Sequence, residues 1–404
     1  MRIAWGATGP GDGPVGRRVA VTGMGVLAHA GIGVDAFWEG LSRPAEMSHH
    51  RRVEGFDPSA YFGPKEVRRV DRFTQMAVAA AEEAFEAAGR PEVDPARAGV
   101  WVGTGVGGLE SLEVQVLVNA ERGPRRVSPF LVPMMMANAA PATISMRFGL
   151  RGPCETTVTA CAAGTQAIAN AARLVATGRC VLALAGGAEA AMTSTAQAGF
   201  ANMTALSSVG ISRPFDRNRD GFVMGEGAGM LVLEDMEHAL ARGATIYAEL
   251  AGAASNADAH HITAPSPGGS GAVACMEMAL ADAGLSPSDV VHINAHGTST
   301  PLNDAAEAEA IGKLFGQPGP PVTSIKGVNG HALGAAGAVE AVTSVLTIQR
   351  RAIPPTGGLE DLEFDLDVVV GEPRPWEPGP MLSNSFGFGG HNGSLVFVPP
   401  PSRP

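Results

Sequence analysis

One cysteine in the chain sits where it could attack a carbonyl. In Thr157–Ile168, "TVTACAAGTQAI", Cys161 stands among small residues where an extended apolar run gives way to a helical one. A thiol at a helix start feels the positive end of the helix dipole, which favours the thiolate, and the free N–H groups there can hold an oxyanion. Strand, nucleophile, helix is a recurring way to display such a group. The same residue also reads as an inert core side chain, the usual state of a free cysteine. Two histidines have comparable settings, His296 in "NAHGTSTPLND" and His331 in "KGVNGHALGAAG". Read singly, each is a hydrogen-bonded structural histidine. Together with Cys161 they could be imagined as zinc ligands, but the local spacing is not that of a finger and no fourth ligand is evident.

Other residues carry weaker signals. Lys326, in "SIKGVNGH", falls at a strand end, where a lysine is either solvated or buried with a partner; Glu340 and Glu307 are the candidate partners. Phe386 and Phe388 lie beside glycines in "NSFGFGGHNGS" and read as core, with a mobile gate as the alternative. "GTGVGG" (Gly103–Gly108) follows an apolar run and fits a dinucleotide-binding glycine pattern, yet no acid stands at a following strand end about 20 residues on.

The elements that must position these groups alternate. "RRVAVTGMGVLA", "AGVWVGTG", "TVTACAAG" and "VLALAGGAEA" each read as a short strand running into small residues, and Phe73–Gly89 reads as a helix stopped by Gly89 and Pro91. The pattern predicts layered α/β structure. "VVHINAHGTST" and "PVTSIKGVNGHALGAAGAVEAV" repeat the theme, and "LSNSFGFGGHNGSLVFV" predicts a closing hairpin. This is a loose internal duplication with a seam near 250–260. The expected organisation is a flexible lead (1–16), a first half (17–254) bearing the cysteine, a second half (255–400) bearing both histidines and the lysine, and a tail (401–404).

Composition narrows the classes. The chain has 404 residues, 45% of them apolar, 17% charged and 5% aromatic, with 53 glycines and a net charge of −11. That charge argues against general nucleic-acid binding. No uncharged apolar run reaches the roughly 18 residues of a membrane span. Four cysteines without a CxxC pair do not make a disulfide framework and fit a reducing cytoplasm.

Taken together, "TACAAGTQAI", "SRPFDRNRDGFVMGEGAGMLVLED", "NAHGTSTPLND", "SIKGVNGHALGAAGAVE" and "NSFGFGGHNGS" resemble the elongating β-ketoacyl-acyl-carrier-protein synthases, in collinear order over about residues 17 to 398. The resemblance implies a thiolase-like fold of five α/β/α/β/α layers, made from two duplicated βαβαβαββ halves, and a homodimer. It implies that Cys161 takes the acyl chain as a thioester. His296 and His331 then bind the malonyl thioester and assist its decarboxylation, while Lys326 holds the His331 region with Glu340. Phe388 becomes the gate, and the Cys161 and Phe388 amides the oxyanion hole. Thr298 and Thr300 contact the pantetheine arm. Val106 stands at the acyl-pocket floor, which Phe386, Leu131 and Val132 also line. Lys65, Arg68, Arg69, Arg125 and Arg126 become the docking patch for an acidic acyl carrier protein. A further basic position is replaced by Thr204, and His391 stands where threonine is common.

Within the superfamily, degradative thiolases use a second cysteine in place of a histidine. Chain-initiating synthases carry asparagine for the second histidine, and chain-length-factor partners lack the cysteine. Keeping Cys, His, His and Lys favours an active elongating enzyme of fatty acid or type II polyketide synthesis. No cofactor or metal is expected beyond the carrier-borne phosphopantetheine. The alternatives are a non-condensing acyltransferase, a scaffold subunit of a heterodimer, or a nucleotide-dependent oxidoreductase resting on "GTGVGG" alone.

Overall fold

The computed structural model describes residues 16–401. The lead and the tail lie outside these but for Gly16 and Pro401. The first half runs β1 (Val19–Ala28), α1 (Arg72–Ala87), β2 (Ala98–Gly103), α2 (Ala139–Phe148), β3 (Cys154–Thr157), α3 (Ala163–Ala176), β4 (Leu182–Glu189) and β5 (Gly227–Asp235). The second half repeats it as β6 (Ala248–Ala257), α4 (Ser270–Ala283), β7 (His292–Asn294), α5 (Pro301–Phe315), β8 (Val322–Thr323), α6 (Ala336–Arg350), β9 (Met381–Gly387) and β10 (His391–Val398). Each half is βαβαβαββ.

The sheet order is β8-β7-β9-β10-β6-β1-β5-β4-β2-β3, so the halves join where β1 meets β6, antiparallel over Val19–Val21 and Ala248–Leu250. The parallel pairs are β7 with β8 and β9 and β2 with β3 and β4. Helix α1 packs on strands of the first half and α4 on strands of the second, while α3 and α6 touch each other and strands of both. The result is five layers, with the two central helices in the middle. The repeat starts with β6 at Ala248, so a boundary between 254 and 255 would cut that strand in two. The seam falls in the preceding loop.

Local chemistry explains the elements. Asp71 caps α1 by accepting from the Phe73 amide, and eleven residues of that helix, mostly alanine and other apolar types, are buried. β1, β2, β4 and β5 are buried throughout, which is why they read as near-continuous apolar runs. The expected hairpin forms, with β9 and β10 paired from Met381↔Phe397 to Gly387↔His391 and joined by Phe388–Gly390.

The glycines of "GTGVGG" have a packing role. A Cβ on Gly103 would lie 2.3 Å from the Ala163 carbonyl carbon, and one on Gly105 2.8 Å from Glu189 Oε2. A Cβ on Gly334 would lie 2.2 Å from the Gly105 amide nitrogen. Gly334 and Gly105 let the two halves meet backbone to backbone, while Gly103 lets β2 lie against the start of α3.

Candidate active site

Strand β3 stops at Thr157, and the chain reaches α3 through a 3₁₀ turn, Ala160–Ala162. Ala160 adopts φ 49°, a left-handed conformation that a non-glycine residue takes only when its surroundings force it. This strained turn aims Cys161 away from the sheet into a cavity of about 410 Å³. The second half makes the matching turn before α6, where Leu333 has φ 45°.

His331 arrives from that second turn. Its backbone is stapled to the "FVMGEG" segment: its amide donates to the Val223 carbonyl (2.7 Å) and the Gly225 amide to its own carbonyl (2.9 Å). The Phe222 ring packs edge-on against its imidazole at 5.2 Å. His331 Nε2 lies 3.0 Å from the Cys161 sulfur, while Nδ1 is buried without a partner. A buried unpaired N–H costs more than an unfilled acceptor, which places the proton on Nε2, directed at the sulfur.

His296 follows β7 in a loop that α5 holds from below. Glu307 accepts from the amides of His296 (2.8 Å) and Gly297 (2.7 Å), and Asp304 accepts from the Ser299 amide. Glu307 thus spends its hydrogen bonds on backbone rather than on Lys326. Lys326 pairs with Glu340 and donates to the His296 carbonyl (2.6 Å) and to His296 Nδ1 (3.3 Å). Its ammonium therefore steadies His296 directly, and its pair with Glu340 spans the segment that bears His331. An ammonium has no acceptor, so His296 Nδ1 must accept and its proton must sit on Nε2. The two imidazoles are 5.3 Å apart, edge to face.

Electrostatics follow from burial. Desolvation and then the Lys326 charge hold His296 and His331 well below the ordinary imidazole value, so both are neutral. Desolvation pushes Glu307 and Glu340 up to about 7. It also pushes the Cys161 thiol up to about 11, against the pull of Lys326 and of the Phe388 amide. The sequence favoured an acidified thiol; here burial outweighs the helix start.

The predicted site residues fall into three groups. Cys161, His296, His331, Thr298, Thr300, Val106, Phe386 and Phe388 all line the one cavity. Thr300 also caps α5 and hydrogen-bonds to Thr298 at 2.9 Å. Leu131 and Val132 do not line it; they lie in a short helix, Leu131–Met135, at an outer face. Lys65, Arg68, Arg69, Arg125 and Arg126 are exposed, and the Arg69 guanidinium stacks on Phe130 at 4.4 Å, which brings the two basic segments together.

The gate segment is tied to the loop after β6. Gly389 N donates to the Ile262 carbonyl (2.7 Å), and Asn392 Nδ2 to Asp258 Oδ1 (2.7 Å). Asp258, Phe222 and Glu189 were not singled out from the sequence. The usable signal for Glu189 was an acid ending an apolar strand in "GGAEA". Cys161, His296 and His331 present ligand-type atoms within 4.8 Å of one another, but a lysine ammonium already faces the His296 nitrogen turned away from the cavity. The set is a thiol between two imidazole donors.

A buried thiol on a strained turn, with two neutral imidazoles beside it in a fold of duplicated halves, is the arrangement expected of a thiolase-like condensing enzyme. Comparison with known proteins narrows the class. The pattern "Beta-ketoacyl synthase, N-terminal domain" matches residues 42–239 and "Beta-ketoacyl synthase, C-terminal domain" residues 247–360. A "3-oxoacyl-[acyl-carrier-protein] synthase 2" of Synechocystis sp. is 45% identical over 94% of this chain and 98% of its own. Among solved structures, "The ishigamide ketosynthase/chain length factor" superposes with a TM-score of 0.90 at 33% identity, covering 96% of this chain and 100% of that one. A type II polyketide ketosynthase solved in complex with its acyl-carrier protein gives 0.88 at 32%, covering 95% and 100%. The chain belongs to the β-ketoacyl synthase family.

Proposed function

We propose that the protein carries out decarboxylative Claisen condensation, joining an acyl group held on Cys161 to malonyl-acyl-carrier protein to give β-ketoacyl-acyl-carrier protein, CO₂ and free carrier. In loading, the Cys161 sulfur attacks the acyl thioester, the carrier thiolate leaves, and the thiol proton ends on the released carrier. The Phe388 and Cys161 amides are suited to hold the oxyanion. Malonyl thioester then loses CO₂, and the charge left on its oxygen is met by the N–H groups of His296 and His331. The enolate carbon attacks the acyl-Cys161 carbonyl, and the sulfur leaves. Lys326 with Glu340 keeps His296 in the donating tautomer, Phe388 and its glycines gate the mouth, and Thr298 and Thr300 receive the pantetheine arm.

The observation that carries this reading is the convergence of one thiol and two neutral imidazole donors in a single cavity. A simple acyltransferase needs the thiol and an oxyanion hole but not a second imidazole donor.

The scheme needs neither metal nor nucleotide. The basic surface around Lys65, Arg68, Arg69, Arg125 and Arg126 suits an acidic carrier protein. No helix among the described residues is long and apolar enough to cross a membrane, and we place the enzyme in the cytoplasm as a homodimer, a related subunit being the alternative partner. The test is incubation with acyl- and malonyl-carrier protein alone. CO₂ release with a β-ketoacyl product supports condensation; acyl-Cys161 without product would reduce the protein to an acyltransferase.

A further inference from the structure

Glu189 takes no part in this chemistry, yet it is a wholly buried carboxylate close to the cavity. It ends β4 and accepts hydrogen bonds from three groups: Thr104 Oγ1 (3.0 Å), the Gly105 amide (2.5 Å) and the Gly334 amide (3.1 Å). Two of these belong to the turn after β2, in the first half, which Val106 continues. The third belongs to the turn before α6, in the second. Both turns wall the cavity: Gly105 and Val106 line it from the first half and Leu333, two residues beyond His331, from the second. Leu333 is held at φ 45°, and the Gly334 amide bonded to Glu189 directly follows it.

We propose that Glu189 is a positioning residue for acyl-chain selection, its carboxylate fixing Val106 and Leu333 relative to each other across the seam between the halves. The inference rests on the functional reading above. The chemistry is specific to a carboxylate, which only accepts, whereas an amide also presents two donors. Glutamine at this position must therefore turn an NH₂ toward a backbone N–H. Glu189 itself does not line the cavity. Turns pushed away from it move Val106 or Leu333 inward, which shortens the space for an acyl chain and leaves short chains least affected.

The test compares full-length wild-type protein, Glu189→Gln and Thr104→Val, each incubated with acyl-carrier proteins from butanoyl to hexadecanoyl, with Cys161 loading followed by intact mass. With a buried donor left unpaired beside the Gly105 and Gly334 amides, Glu189→Gln should lower the ratio of long-chain to short-chain loading about tenfold. Thr104→Val removes one donor to the carboxylate, together with the acceptor of the Gly107 amide in the same turn, and keeps the carboxylate; it should shift the ratio the same way by less, and it carries the test if the glutamine variant does not fold. Alkylation of Cys161 by iodoacetamide should not be slowed in either variant, since a negative charge near the sulfur is removed or left as it was. An unchanged ratio, or an equal loss at every chain length that follows thermal stability, overturns the inference alone. A wild-type protein that takes no acyl group overturns the functional reading with it.

Discussion

Removing the sulfur and removing either imidazole should stop the reaction at different steps. Cys161→Ala should abolish acyl loading, seen as absence of the mass shift. His296→Ala and His331→Ala should still load while condensation falls about 10²–10³-fold, the usual effect of deleting one donor from a developing oxyanion. Normal condensation by either histidine variant would remove the assigned roles. The pH response follows from burial. Both histidines are held well below the usual value, so they stay neutral as pH falls through 6.5, and CO₂ release should show no inflection there. Their folded-state value is depressed, so protonation favours the unfolded chain, and the stability tied to their neutrality is lost only as pH drops below about 6.5. The thiol is pushed the other way, to about 11. Alkylation of the unliganded enzyme by iodoacetamide should keep rising through pH 9, and a plateau near neutrality would show that the helix start outweighs desolvation. Lys326→Met should slow decarboxylation, because His296 Nδ1 then loses the donor that fixes its tautomer, and should slow loading as well, because the Cys161 thiol loses the cation that opposes its desolvation.

At the scale of elements, the site depends on two turns that cannot carry extra atoms. Gly334→Ala would place a Cβ 2.2 Å from the Gly105 nitrogen; it should lower the melting temperature and impair loading together. Gly199→Ala, in the helix Ser194–Asn202 with nothing within 4 Å of the added methyl, should be neutral or stabilising by up to about 1 kcal/mol. Equal thermal shifts in the two variants would contradict the packing argument. The turns also mark what could be read in the sequence. Strands such as Leu182–Glu189 and the hairpin after Met381 were legible because their apolar runs and bounding glycines are local signals. Cys161, His296 and His331 were legible as candidates because each follows such a run. Glu340 was legible as a candidate partner of Lys326, a short distance along the chain, and the structure pairs them; the role of Glu189 was not, since it is set by amides from segments far away in the chain. "GTGVGG" misled for the same reason: its glycines answer to Ala163 and Gly334, which no local pattern reveals.

At the scale of the whole molecule, one side of the first half is unfinished. Val106 lines the acyl cavity yet is 49% exposed, and beside it the helix Leu109–Arg122 presents Val114, Val116 and Leu117 at 50%, 56% and 54%. Val132 and Val158 continue the apolar surface, and β3 forms an open sheet edge with only β2 beside it. An apolar face next to an unpaired strand edge is what one copy offers another across a two-fold axis, where the same patch serves both sides. Leu131 and Val132, expected at the acyl pocket, do not line the cavity of their own chain, and Val132 is exposed on this same side. Replacing Val116 and Leu117 together by aspartate should convert the protein to a monomer in sedimentation equilibrium. Because the cavity wall at Val106 would then stand open to water, long-chain loading should fall more than short-chain loading. A variant that stays dimeric, or a monomer with an unchanged chain-length profile, would show that the cavity is complete within a single chain.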